Sequence, residues 1–164
     1  MQAPPGLSHS PLTFSGGIWR APDAPAIEGI YHEIRQREGR LLPDTLVRDL
    51  PNSGTRTPHR MEWLARRASM RKALREFRKA HRSLTILDVG CGNGWLSAKL
   101  AADGHQVVGI DAHRHELEQA ARVFGHERLW WVHGDARALD PAPASVDAII
   151  LAAPLHYFAR PIAC

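Results

Sequence analysis

Leu84-Thr85-Ile86-Leu87-Asp88-Val89-Gly90-Cys91-Gly92-Asn93-Gly94 decides the architecture of this chain. An apolar run ends on an acid and breaks at once into three glycines spaced two apart, and a helical pattern follows. A buried parallel strand that delivers a small ligand to the start of a helix has this form. The glycines remove Cβ atoms where backbone must turn sharply and approach the ligand. The spacing also narrows the ligand. A dinucleotide fingerprint, Gly-x-Gly-x-x-Gly, needs a small residue at position 95, which holds Trp95. The loop is instead Gly-x-Gly-x-Gly with an acid two residues upstream, and it lacks the lysine of a phosphate-cradling loop.

Downstream, Leu96 and Leu100 lie four apart with alanines around them, which predicts a helix over Trp95 to Ala102 stopped by Asp103-Gly104. Gln106 to Asp111 is a β-branched run that again ends on a carboxylate. His113 to Phe124 reads as a second helix, with Gly125 at its C′ position. Arg128 to His133 predicts a third strand ending in Gly134-Asp135-Ala136. Val146 to Leu151 predicts a fourth after a proline-broken connector. This alternation predicts an α/β fold: a Rossmann-like parallel sheet of about four strands with flanking helices and right-handed crossovers. Ligands in such sheets sit at the carboxyl ends of the strands, where all these polar residues fall.

Asp88-Val89-Gly90-Cys91-Gly92-Asn93-Gly94 resembles the first motif of the class I S-adenosylmethionine-dependent methyltransferases, and the order of elements over residues 82 to 158 resembles the first half of their domain. The resemblance implies S-adenosylmethionine as cofactor. Gly90, Cys91, Gly92 and Gly94 would form the loop, with the first three placing backbone against the methionine part. Asp88 would hold the amino group, Asp111 the ribose and Asp135 the adenine amino group, with the backbone of Ala136 at the ring edge. Leu151 and Ala152 would lie beside the sulfonium. His156 and Tyr157, just beyond, are the candidates for an acceptor-side base. Against these roles, a strand-end Asp also serves simply to cap the following helix. Cys91 fills a place that needs a small side chain and is not read as a nucleophile. Trp130 and Trp131 point to opposite sheet faces and are expected to be covered by helices or the N-terminal segment.

The chain has 164 residues, 44% of them hydrophobic, enough for one domain with its own core. No stretch is long and apolar enough to span a membrane, and no secretory pattern opens the sequence. The two cysteines, Cys91 and Cys164, form no disulfide framework, which predicts a cytoplasmic protein. The ten histidines include no set at metal-ligand spacing, so no metal is expected. Residues 1–25, rich in Pro, Gly, Ser and Ala, are expected to be disordered or loosely draped. Residues 26–81 read as a helical N-terminal extension, and 82–164 as a partial cofactor-binding domain.

The clearest helix before the glycine loop covers 60–81, with Trp63, Leu64, Met70, Leu74 and Phe77 marking an apolar stripe. Between Arg56 and Arg82 stand ten cations against two acids, while the whole chain carries a net charge of only +4. The simplest reading is a solvated helix face; the sharper one is an electrostatic guide for an anionic acceptor, a lipid surface or RNA. Nothing resembles a base-reading module, so nucleic acid is disfavoured. Methyl transfer to a small-molecule or cell-envelope-type acceptor is the expected function. Because the family's sheet normally has seven strands, a partner chain completing the sheet is one expectation and a non-catalytic fragment or adaptor another. An NAD-binding module is the reading that Trp95 argues against.

Overall fold

The computed structural model describes residues 2–7, 10–22, 24–25, 29–139 and 145–151. In chain order these form β1 (Thr13–Ser15), β2 (Ile18–Arg20), α1 (Gly29–Arg37), α2 (Asp44–Arg48), a short 3-10 turn (Ser53–Arg56) and α3 (Arg60–Arg78). There follow β3 (Thr85–Val89), α4 (Trp95–Ala102), β4 (Gln106–Asp111), α5 (Arg114–Val123), β5 (Leu129–His133) and β6 (Ala148–Ile150). The sheet runs β1-β2-β5-β4-β3-β6, with only the β1–β2 pair antiparallel.

The Rossmann-like parallel sheet predicted from sequence is the centre of the molecule. In-register pairing places Ile86 beside Val107 and Leu87 beside Val108, so period-two alternation sends these side chains to opposite faces. Ile86 and Val107 pack under α3 and α4 with Trp95, Leu96 and Leu100. Trp131 goes to the same side with Leu117 and Ala120 of α5. Leu87, Val108, Ile110 and Val132 line the other face. The two indoles of β5 do separate, as alternation requires: Trp131 is buried, while Trp130 faces the second cluster and donates its Nε1–H to the Gln2 carbonyl at 3.1 Å.

The N-terminal segment departs from expectation. Where composition predicts a disordered or loosely draped segment over 1–25, Thr13–Ser15 and Ile18–Arg20 form a hairpin turned by Gly16 and Gly17, both at positive φ. β2 then pairs with β5, giving six strands rather than four. Leu7, 1% exposed, lies with Leu87 and Val132 on the second face. Burying a few large side chains and pairing one sheet edge holds a segment that composition alone marks as loose.

Smaller differences have local causes. α3 stops at Arg78 instead of running to His81, which adopts φ +52 and cannot continue a right-handed helix. Gly104 has φ +101 and donates its N–H to the Ala101 carbonyl, as a helix stop should. Gly125 has no positive φ, because Phe124 has already left α5 in an extended conformation. β6 begins at Ala148 because the Asp147 carboxylate takes both the Thr85 N–H and the Arg82 guanidinium.

Candidate functional site

The C-terminal ends of β3, β4 and β5 lie side by side, and each carries an acid. Asp88 is opposite Gly109, and the Gly90 and Cys91 N–H groups both reach the Ile110 carbonyl, at 2.8 and 3.1 Å. The glycine loop is thereby folded over the end of β4. Gly90, Gly92 and Gly94 have φ of +70, +54 and +73, a conformation that side chains resist. Gly94 answers a second demand: a Cβ there would lie 2.2 Å from the Trp131 ring. The third glycine is thus fixed by packing against an indole as well as by the turn. Gly109 meets the same ring, at 2.7 Å.

Asp111 is 7% exposed and holds the loop to the following helix. Its Oδ2 accepts the Gly92 N–H at 2.7 Å; its Oδ1 accepts the His113 N–H at 2.8 Å and lies 3.0 Å from the His113 ring. The carboxylate therefore joins the glycine loop to the entrance of α5, combining the capping contact with a place in the crevice. Asp135 stands one strand further out, where the Gly134 N–H meets the Asp111 carbonyl. It is more open, and Arg137 engages both its oxygens, which holds its carboxyl below the ordinary range.

Asp88 is in the opposite condition. It is 1% exposed, its Oδ2 accepts the Ser97 hydroxyl at 2.6 Å, and its Oδ1 is buried without a hydrogen-bond partner. Burial pushes its pKa to about 7, offset in part by Ser97 and reinforced by the Asp111 charge. A buried carboxyl with one bare oxygen gains strongly from a cationic hydrogen-bond donor. The Cys91 thiol, buried beside these carboxylates, is pushed up and stays protonated, which fits a packing role.

Two more groups join the crevice that the motif pattern did not mark. Ser97 is the one hydroxyl in the apolar helix α4 and is fully buried. Glu116 lies on the buried side of α5 beside Leu117, with its Oε2 3.7 Å from where a Gly92 Cβ would stand. An acid on the apolar side of an amphipathic helix was the signal for it. Burial raises its pKa, and Arg35 of α1, 3.2 Å away, lowers it in part. Leu151 follows Ile150, the partner of Asp88, and is 45% exposed; Ala136 lies in the cluster on the second face. Ala152, His156 and Tyr157 lie outside the described residues. Among the described residues, no group of His, Cys, Asp and Glu could hold a metal ion.

A parallel sheet that gathers a glycine loop and buried acids at neighbouring strand ends defines a Rossmann-like protein for a nucleoside-type cofactor. Residues 86–163 match the model of a family described as a methyltransferase domain. An uncharacterized methyltransferase of Mycobacterium tuberculosis is 35% identical over 72 residues, 44% of this chain and 36% of the relative. The malonyl-[acyl-carrier protein] O-methyltransferase of Erwinia pyrifoliae is 35% identical over 74 residues, 45% of this chain and 28% of that protein. An S-adenosylmethionine-dependent methyltransferase structure from Mesorhizobium loti aligns with a TM-score of 0.42 and 26% identity, covering 48% of this chain and 36% of that one. The segment following α3 is thus similar to methyltransferase domains, as its glycine loop implied. The matches to these curated relatives cover only about a third of their length.

Proposed function

We propose that this chain binds S-adenosylmethionine at the C-terminal ends of β3, β4 and β5 and directs its methyl group to a small-molecule or cell-envelope-type acceptor. The observation that carries the reading is the buried Asp88, with its bare Oδ1, beside the Asp111-held glycine loop. The group brings one positive charge on its amino nitrogen and another on its sulfonium, where the methyl is open to displacement. Asp88 holds the amino group and loses its proton as it does so. Asp111 keeps Gly92 and His113 in place and presents its remaining acceptor capacity to the ribose hydroxyls. Asp135 takes the adenine amino group by sharing its carboxylate with Arg137, while the Ala136 backbone meets the ring edge. Leu151, just past β6, is the described residue that would lie beside the sulfonium.

Displacement at a sulfonium releases a neutral thioether, so little covalent work falls to the protein. Holding the acceptor in line supplies several kcal/mol, by order of magnitude. His156 is the candidate base for an acceptor that must lose a proton, with Tyr157 beside it. The basic α3 favours an anionic acceptor.

Titration of the chain with S-adenosylmethionine, S-adenosylhomocysteine and NAD is expected to show binding of the first two alone. Heat with NAD only, or with none of the three, overturns the reading. Transfer of labelled methyl groups to a cell-envelope extract tests turnover. Cofactor binding without transfer would instead support the second reading, a non-catalytic cofactor-binding segment, which the exposed Ile149 and Leu151 at the outer strand favour as a place for a further element to pair.

A further inference from the structure

The outer face of α3 carries charge that the molecule itself does not balance. Arg66 is paired with Glu62, Arg78 with Asp103, and Lys79 with Glu76. Among the described residues, no carboxylate forms an ion pair with Arg60, Arg67 or Arg71, and Lys72 and Arg75 share only the single charge of Glu76, Arg75 at 4.0 Å, with Lys79 already bonded to it. Arg67, Arg71 and Arg75 follow one another at i, i+4 spacing, where like charges oppose helix formation. A face that served only solubility would alternate signs along these rows. Arg60, Arg71, Lys72 and Arg75 are exposed and spread over an arc of about 120° and a length of about 22 Å. Within that arc Met61, 71% exposed, is the exposed large apolar side chain, while Leu64 is half-buried.

The shape of this patch selects its partner. Trp63 packs with the core cluster under the sheet and contacts Trp95 edge-on at 5.7 Å, and Phe77 joins the same cluster, so neither aromatic of α3 is offered to a stacked base. The face is a convex helix surface, not a groove that tracks a strand. One methionine is too little for the apolar anchors at the centre of a protein interface. A broad, flat anionic surface needs none of these and gains from every cation at once. The rest of the chain is net negative, since residues 56–82 hold ten cations and two acids within a total of +4. Such a surface therefore attracts this face and repels the others.

We propose that α3 docks the protein on an anionic lipid bilayer, with Arg60, Arg71, Lys72 and Arg75 against the headgroups and Met61 inserted shallowly among them. The N-terminal part of α3 lies against the start of α4, because Trp63 meets Trp95 directly after the glycine loop. Docking thus brings a lipid-borne acceptor to the site, a consequence that rests on the cofactor reading; the docking itself does not.

Flotation with vesicles of phosphatidylcholine, alone or with about one-third phosphatidylglycerol, tests the proposal. Binding is expected with the anionic vesicles only, and is expected to vanish at high salt. The triple variant R71Q/K72Q/R75Q should lose roughly 100-fold in partition, at about fivefold per cation. Its unchanged circular dichroism and unchanged S-adenosylhomocysteine affinity would show that fold and crevice are intact. Equal binding to neutral vesicles, undiminished binding of the triple variant, or no binding at low salt overturns the proposal. So does tighter capture of single-stranded RNA that the same variant abolishes. Vesicle binding by a chain that ignores S-adenosylhomocysteine would leave the docking standing and remove the cofactor reading instead.

Discussion

The two edges of the sheet handle carboxylates in opposite ways. At the N-terminal ends of the strands, each acid is answered by an arginine in open solvent: Asp147 by Arg82 and Asp103 by Arg78. Arg82 and its N–H partner Thr85 hold the Asp147 pKa down to about 2. At the C-terminal ends Asp88, Asp111 and Glu116 are buried and crowd one another, and Asp88 is pushed up to about 7, while Arg35 answers Glu116 and Arg137 the outlying Asp135. The glycines follow the same division. A Cβ on Gly104, at the lower edge, would meet nothing within 4 Å, whereas one on Gly94 would strike Trp131. The lower edge is what charges look like when they only close a fold; the upper edge is what they look like when a cationic, sugar-bearing ligand is to be held.

The contrast breaks or sharpens under mutation. Gly94→Ala combines a positive φ with the Trp131 overlap and is expected to destabilise the chain by about 4 kcal/mol. Gly104→Ala should cost about 1 kcal/mol, from its conformation alone. Urea denaturation measures both, and equal losses would erase the distinction between the edges. Next in size, Asp111→Ala removes the acceptor shared by Gly92 and His113 and should weaken S-adenosylhomocysteine by roughly 100-fold. Asp147→Ala should leave that affinity within about twofold.

The third effect depends on pH. Because the folded pKa of Asp88 lies above its ordinary 3.8, its contribution is fully present below about pH 4 and is lost as pH climbs through about 7. Asp88→Asn should therefore stabilise the ligand-free chain at pH 8, by up to about 4 kcal/mol, and change little at pH 4. Thermal melts at the two values test it, and a variant less stable at pH 8 would contradict it. Asp147 has the reverse sign: its support is present above about pH 4 and fades as pH falls through about 2. The smallest effect is expected of Arg82→Gln and Arg78→Gln, which break solvent-exposed pairs and should leave the neutral-pH urea midpoint almost unmoved.

Much of this was legible in the sequence, because two periods and a few punctuation residues carry it. The alternation of Ile86-Leu87 and Val107-Val108, with an acid closing each run, places two neighbouring strands and their shared end. The predicted limits of α4 and β4 match the structure. What was not legible depends on long-range contact. The β1–β2 hairpin is held by β5, more than a hundred residues away; Gly16-Gly17 between Phe14 and Ile18-Trp19 is a local turn signal that the surrounding Pro-, Gly- and Ser-rich composition obscures. The third glycine reads as loop chemistry until Trp131 appears against it. Ser97 and Glu116 belong to the crevice through helix packing that no local spacing records, although an acid on the buried side of α5 was a sign worth following.

The central claim is that the upper-edge acids are held for a cation, and the Asp88 carboxyl reports on it directly. Carbon-13 NMR of the Asp88 side chain should give a titration midpoint near pH 7 without ligand. On addition of S-adenosylhomocysteine, whose amino group supplies the missing donor, the midpoint should move well into the acidic range. A midpoint in the ordinary carboxylate range with or without ligand, or one that stays near 7 at saturating ligand, would contradict the account.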